Sequence, residues 1–389
     1  MKYGKCILFF LIFSASTVAQ DNNKSLYEAY EDAFLIGTAL NRAQILSINN
    51  EYLLDTLRAN RRGYFITNKI LPDKIGLNIA MEHFNAFTPE NAMKWEEIHP
   101  KPGVYNFTAA DQFVEIANQQ NKFVIAHTLI WHNQTPDWVF EDENGESADR
   151  ELLLQRMQNH IHTVVGRYRG RIDAWDVVNE AFNQDGSYRE SKWYQIIGED
   201  YLAKAFQYAR EADEKVELYY NDYSMENSVK RNGIIKAIKN LLVKGIPITG
   251  IGSQSHYKLS NMPSVYDIEK SIKDLSLLGI DIMITELDIN VLPEIRNKDG
   301  SLNSETDIYK DGLPENIEKK LTDTYVELFQ VYLNHKDLIK RVTFWGVSDH
   351  SSWLNYLPVE RINYPLLFDR QNNPKDAFFS ILRLAENEL

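Results

Sequence analysis

WDVVNEA, Trp175 to Ala181, and ITELDI, Ile284 to Ile289, decide how this chain reads. Each is a short apolar run that closes on a carboxylate, Glu180 and Glu286. A strand buried on both faces shows such a near-continuous hydrophobic stretch. A Glu at its last position builds a poor core but is well placed at the mouth of a barrel. Working outward, the full set of such runs is FLIGTA (Phe34–Ala39), Ala86–Pro89, FVIAH (Phe123–His127), Ile172–Val178, VELYY (Val216–Tyr220), ITGIGS (Ile248–Ser253), Ile282–Thr285 and Arg341–Trp345. They are short, rich in Val, Ile and aromatic residues, and mostly without polar alternation.

Helical periodicity fills the gaps. Leu153, Met157, Ile161 and Val164 form one stripe over Leu152–Tyr168, after a cap at Ser147 or Asp149. Tyr201–Ala212 and Asn232–Val243 behave alike, and Glu315–His335 places Leu321, Tyr325, Leu328 and Tyr332 on one face. Eight strands alternating with helices, without a linker, predict an α/β protein with a single (β/α)8 (TIM) barrel. A doubly wound open sheet is the alternative. It calls for a Gly-rich turn after the first strand, and FLIGTALNRAQ has none of that form.

Bulk numbers set limits. With 389 residues and 44% hydrophobic content, one large core is available. The formal charge of -13 argues against nucleic acid, because nothing would release counterions from a phosphate backbone. The start, MKYGKCILFFLIFSASTVAQ, carries Lys2 and Lys5 before the apolar run Cys6–Phe13 and the small residues Thr17-Val18-Ala19. That pattern predicts a secretory signal over residues 1–19 and export to the periplasm or exterior, leaving 20–389 as the barrel domain. The apolar run is too short to span a bilayer. Cys6 is the sole cysteine, so the mature chain is expected to hold no disulfide and no cysteine metal site.

Polar residues gather at the strand ends. TPENAMKW supplies Glu90, Asn91 and Lys94; HTLIWHNQ supplies His127, Trp131, His132 and Gln134; then come Asn179 and Glu180, NDY (Asn221–Tyr223), Gln254 and His256, Glu286, and Trp345 with Trp353 beyond it. Any one strand-end Glu is ordinarily a solvated surface group, and a Trp is ordinarily core. Asp176 and Asp288 read as structural partners, as do His160 and His162 on a helix. His127 and His132 are too few and wrongly spaced for a metal, and HExxH, GxSxG and P-loop patterns are absent. The convergence of so many polar groups on one barrel face is what points to a site. Cleaving an acetal needs a proton on the departing oxygen and a negative charge beside an oxocarbenium-like carbon, which two carboxylates in different environments supply. Gln254 and His256 are placed to donate to Glu286 and keep it ionised. Lys94, Glu90 and Asn91 can bond ring hydroxyls, and Trp rings can stack on pyranose faces.

Taken together, WDVVNEA, ITELDI, HTLIWHNQ, TPENAMKW, GIGSQSHY and TFWGVSD resemble glycoside hydrolase family 10, the retaining endo-β-1,4-xylanases, from about Asp32 to Ala385. The resemblance implies Glu180 as general acid/base and Glu286 as nucleophile. It implies that Asn179 bonds the 2-hydroxyl of the sugar being cleaved and that His256, with Gln254 beside it, orients the nucleophile. It implies that His127, Lys94, Trp345 and Trp353 line that subsite, that Glu90 and Asn91 hold the next sugar, that Trp131 and Gln134 complete the wall, and that Tyr223 lies on the leaving-group side. Two departures stand out: a long Asn41–Phe84 connection with extra length near Asn50–Thr67, and His350 where the family usually has Gly, followed by the unusual YLPVERINYPLLF.

The expectation is a secreted, monomeric endo-β-1,4-xylanase acting on xylan or xylo-oligosaccharides, with no cofactor, no metal, no nucleic-acid partner and no membrane span. A β-1,4-glucanase differs only in room for a hydroxymethyl group near Trp353 and Lys94. A non-catalytic glycan-binding protein would have lost one Glu, and both are present.

Overall fold

Eight parallel strands close on themselves in the computed structural model, which describes residues 24–49, 53–54, 69–295, 303, 306–357 and 359–389. In chain order they are β1 (Leu35–Leu40), β2 (Ala86–Pro89), β3 (Phe123–Ile130), β4 (Ala174–Asn179), β5 (Glu217–Asp222), β6 (Gly250–Ser253), β7 (Asp281–Asn290) and β8 (Ile339–Phe344). Each pairs with its sequence neighbour, and β8 pairs with both β1 and β7, which shuts the barrel. Every run named from sequence is a strand; Ala86–Pro89 keeps both its ends, and the others differ at one or both ends by one to five residues. The open-sheet alternative is thereby excluded. The calls for residues 1–19 and most of Asn50–Thr67 fall outside the described residues. Leu53–Leu54 pairs antiparallel with Lys69–Ile70.

Two boundary expectations are corrected. Glu180 lies one position beyond β4, and Glu286 lies inside β7, which continues to Asn290 because a short strand, His256–Lys258, pairs with its far end. Backbone partners therefore extend β7 beyond the point where its apolar run meets polar residues.

The helices pack their apolar stripes on the outside of the barrel. Arg150–Arg167 buries Leu153, Leu154, Met157, Ile161 and Val164, and its cap is Asp149 rather than Ser147: the carboxylate accepts from Leu152 N at 2.8 Å. His160 on that helix stacks on Trp95 with ring centroids 3.6 Å apart. It is a core residue, as the sequence suggests, while His162 pairs with Glu211 at the surface.

The barrel interior changes character along its axis. Near the strand starts, Ala86, Ile125, Ala174, Tyr219 and Met283 form an apolar cluster of their own, separate from the strand–helix core. Near the strand ends, His127, Asp176, Asn221 and Thr285 are buried and polar. Three strands break register where this change occurs: β3 between His127 and Ile130, β4 between Asp176 and Val178, and β7 between Ile284 and Leu287. Such bulges re-aim side chains. Consecutive residues Thr285 and Glu286 both reach Asn221, which strict alternation would forbid.

Candidate active site

Glu286 sits at the centre, 5% exposed. Its Oε2 lies 3.0 Å from His256 Nε2, and its Oε1 accepts from Asn221 Nδ2 at 2.6 Å. The other nitrogen of His256 faces Asp288 at 2.9 Å. Burial works to depress that imidazole, but Asp288 and then Glu286 outweigh it and push it up to about 10. A protonated His256 donates from both nitrogens. Burial likewise works to raise the Glu286 carboxyl. The His256 hydrogen bond, the neighbouring imidazoles and the Asn221 amide overcome it and hold the group below the usual carboxylate range.

Glu180 is built differently. It has φ 59°, left-handed for a residue that is not glycine. Such a conformation costs about 1–3 kcal/mol and persists where neighbours over-determine it. Its N–H donates to Asn221 O at 2.9 Å. Its Oε1 accepts from Gln254 Nε2 at 3.1 Å and from Asn179 Nδ2 at 3.3 Å. Its Oε2 lies 3.9 Å from His132 Nε2. The side chain keeps an edge in solvent.

The two carboxylates belong to one network. Gln254 Nε2 and Asn221 Nδ2 each donate to Asn179 Oδ1 at 3.1 Å, so the path Glu180–Gln254–Asn179–Asn221–Glu286 is unbroken. Reversing the Asn179 amide would set its nitrogen against both donors, while letting that nitrogen donate to Asn221 O at 3.2 Å and the oxygen accept from Trp131 Nε1 at 3.3 Å. This arrangement corrects the reading of Gln254 as a partner of Glu286: its side chain reaches back across β5 to β4 and serves Glu180, because Asn221 already occupies the place beside Glu286. Asn179 is buried and uses both ends of its amide on protein groups, so a sugar hydroxyl would share it with Glu180. A Cβ at Gly252 would collide with the side-chain amide oxygen of Asn221 and the methyl group of Thr285.

A second cluster flanks the first. Lys94 Nζ donates to Asn91 Oδ1 and Gln134 Oε1, both at 2.9 Å, and lies 4.8 Å from the Trp131 ring centre. Asn91 Nδ2 donates to Glu90 Oε1 at 3.2 Å. Burial lowers the Lys94 ammonium, while Glu90, Glu286 and Glu180 all raise it. Burial raises Glu90, opposed by Lys94 and Asn91. The two clusters thus feel each other's charge. Glu90, Asn91, Trp131 and Gln134 are only partly buried, whereas His127, Lys94 and Trp345 are buried.

Beyond β8, Trp345 meets the His127 ring edge-on at 5.2 Å, and Trp353 meets His256 at 5.2 Å while its Nε1 donates to Asp288 at 2.8 Å. His127 Nδ1 faces Asp176 at 2.9 Å. Asp176 and Asp288 are therefore partners that orient imidazoles, as the sequence suggests. The structure brings all the sequence-named residues to one end of the barrel. Tyr223 stands at its β5 edge, accepting from Arg189 at 2.7 Å. His350 lies on the β8 side, 3.7 Å from Asp73. Sequence gives no role to Asn221, and it overlooks Arg189 and Lys230 entirely. A strand-end Asn on β5, the neighbour of the strand that leads into Glu180, is the signal that could have found Asn221. Among the described residues, no group of three or more His, Cys, Asp or Glu is placed to hold a metal ion, and no helix is long and apolar enough to cross a membrane.

Comparison with known proteins agrees with this geometry. The profile of Glycosyl hydrolase family 10 matches residues 25–384. Endo-1,4-beta-xylanase A of Xylanibacter ruminicola is 40% identical, over 99% of this chain and 100% of that one. A GH10 endoxylanase retrieved from a sugarcane soil metagenome superposes with a TM-score of 0.82 and 43% identity, covering 93% of this chain and 99% of the other. TsXylA, an intracellular xylanase of Thermoanaerobacterium saccharolyticum solved as a mutant with xylotriose, superposes with a TM-score of 0.76 and 35% identity, covering 93% and 99%.

Proposed function

The chain belongs to glycosyl hydrolase family 10, and from that premise we propose that it is an endo-β-1,4-xylanase that cuts xylan with net retention, using Glu286 as nucleophile and Glu180 as acid/base. The observation that carries the assignment is the hydrogen-bonded path joining a buried carboxylate clamped by an imidazole, Glu286, to one that keeps an edge in solvent, Glu180. Glu286 is ionised and clamped by His256 and Asn221. It attacks the anomeric carbon as the C–O bond to the leaving sugar breaks. Glu180, with Oε1 taken by amides, carries its proton on Oε2 and gives it to the departing oxygen. Water then attacks the glycosyl–enzyme ester, its proton returns to Glu180, and Glu286 is released as carboxylate. Retention requires the two carboxyl groups about 5–5.5 Å apart. Lys94, Glu90, Asn91 and Gln134 offer charged and amide groups to the glycone hydroxyls, and Trp345 and Trp353 offer apolar ring surface.

The test is Glu180→Ala. Hydrolysis of xylan falls by about 10²–10⁴-fold, the usual worth of a general acid. An aryl xylobioside with an activated leaving group still forms the glycosyl–enzyme, and azide restores turnover as the β-glycosyl azide. An α-azide, or equal loss on both substrates, refutes the assignment. Export rests on the N-terminal residues alone, and one relative is described as intracellular. Mass spectrometry of the native protein should find a chain beginning at Gln20; a retained Met1 would overturn it.

A further inference from the structure

Three tethers hold the strained residue Glu180: its N–H on Asn221 O, the next N–H, of Ala181, on Tyr220 OH at 3.0 Å, and its carbonyl on Arg189 Nε at 2.9 Å. The same guanidinium donates to Tyr223 OH at 2.7 Å. Arg189 is itself anchored, its N–H donating to Ala181 O at 2.7 Å. On the other side of Tyr223, Lys230 Nζ sits 3.4 Å from the ring centre and donates to Asp222 Oδ1 at 2.7 Å, both charged groups fully buried. Asp222 in turn accepts from Tyr223 N and from Tyr220 OH. Tyr223 is thus clamped by Lys230 against its ring and by Arg189 at its hydroxyl. Loop and helix are locked beneath, since a Cβ at Gly233 would collide with the Gly186 backbone.

We propose that Arg189 is a positioning residue for leaving-group departure, fixing in one guanidinium both the backbone of Glu180 and the Tyr223 ring on the aglycone side. It touches no reacting atom. Its effect is to keep the acid's proton and the leaving sugar's platform in one fixed relation. Neither Asn221 nor Tyr220 can do this, because each tethers Glu180 or its neighbour without touching the Tyr223 side chain. Lys230 supports the clamp from below through Asp222. The proposal rests on the reading of Glu180 as acid/base.

The experiment compares wild type with Arg189→Met and Arg189→Lys on two substrates. Xylohexaose needs a proton on its leaving oxygen and fills the aglycone subsites. β-Xylobiosyl fluoride needs no such proton and fills none of them. Arg189→Met should lower kcat/KM on xylohexaose by about tenfold or more, with the basic limb of its pH profile displaced, and change the fluoride by less than about threefold. Arg189→Lys, which keeps a donor, should recover part of the loss. Equal losses on both substrates, or no loss on xylohexaose, overturn the proposal. If Arg189→Met fails to fold, Tyr223→Phe decides: it frees one guanidinium donor without opening a cavity. The same substrate pattern at smaller size supports the clamp, and its absence overturns it. Glu180→Ala on the same pair separates the two levels. Equal loss of kcat/KM on both substrates sinks the acid/base reading itself, because kcat/KM on the fluoride reports bond cleavage that needs no proton, whereas its kcat also includes the later step in which Glu180 serves as base. Discrimination by Glu180→Ala without discrimination by Arg189→Met sinks only the role of Arg189.

Discussion

The lower and upper halves of the barrel interior are made from the same strands and behave as different materials. Below, Ala86, Ile125, Ala174, Tyr219 and Met283 interlock by shape. Above, His127, Asp176, Asn179, Asn221, Gln254 and Thr285 interlock by hydrogen bonds and leave Glu286 ionised. The lower half carries one register shift, between Ile282 and Met283 of β7; the upper half departs from alternation at three bulges, on β3, β4 and β7. Dispersion packing tolerates no gap but little cares about direction. A charge-holding network needs each donor aimed, and bulges supply the aim. Stability should therefore be concentrated below and rate above.

Substitutions can break that division. Met283→Ala, in the lower half and without exposed surface, should cost about 2–5 kcal/mol of unfolding free energy in urea titration while leaving kcat nearly unchanged. A large loss of kcat in the folded variant would show that the halves are not separable. His256→Asn removes a charged donor from the upper half and should lower kcat/KM by about 10–100-fold, a charged hydrogen bond being worth about 1.5–3 kcal/mol. It should also move the acid limb. The Glu286 carboxyl is held below its usual range, so its active, ionised form is lost only as pH falls through that depressed value. Without His256 the value rises, and activity should disappear at a higher pH; a limb that stays put would mean another group controls it. Asn221→Ala removes a neutral donor to the same carboxylate and should cost about tenfold in kcat/KM, with a smaller shift of the acid limb in the same direction. Asp149→Ala, outside the barrel, should cost about 1 kcal/mol by removing a helix cap and leave the pH profile untouched.

Much of this was legible beforehand, for reasons that differ by level. Strand positions could be read because doubly buried strands must be apolar, and all eight candidate runs are strands. Asp176 and Asp288 could be read as partners because each shares its strand with a better-placed polar residue, Asn179 three positions after Asp176 and Glu286 two positions before Asp288. Gln254 could not be assigned to the right acid: whether it leans toward β4 or β7 depends on what β5 places between them. Arg189 and Lys230 were invisible because they sit on a loop and a helix with no chemical pattern, and only the packing of that loop against the helix at Gly186 and Gly233 brings them to Tyr223.

By itself the sequence determined the barrel, since hydrophobic period and strand–helix alternation are local properties that one closed topology satisfies. It also determined which acids, imidazoles and indoles meet at one end, because strand ends of a closed parallel sheet must converge. Tertiary structure alone decided the pairing among them: which amide serves which carboxylate, which residue bends out of alternation, and what fixes the backbone of Glu180. Those choices turn on distances of a few tenths of an ångström between groups remote in the chain, and no residue carries that information until its neighbours are in place.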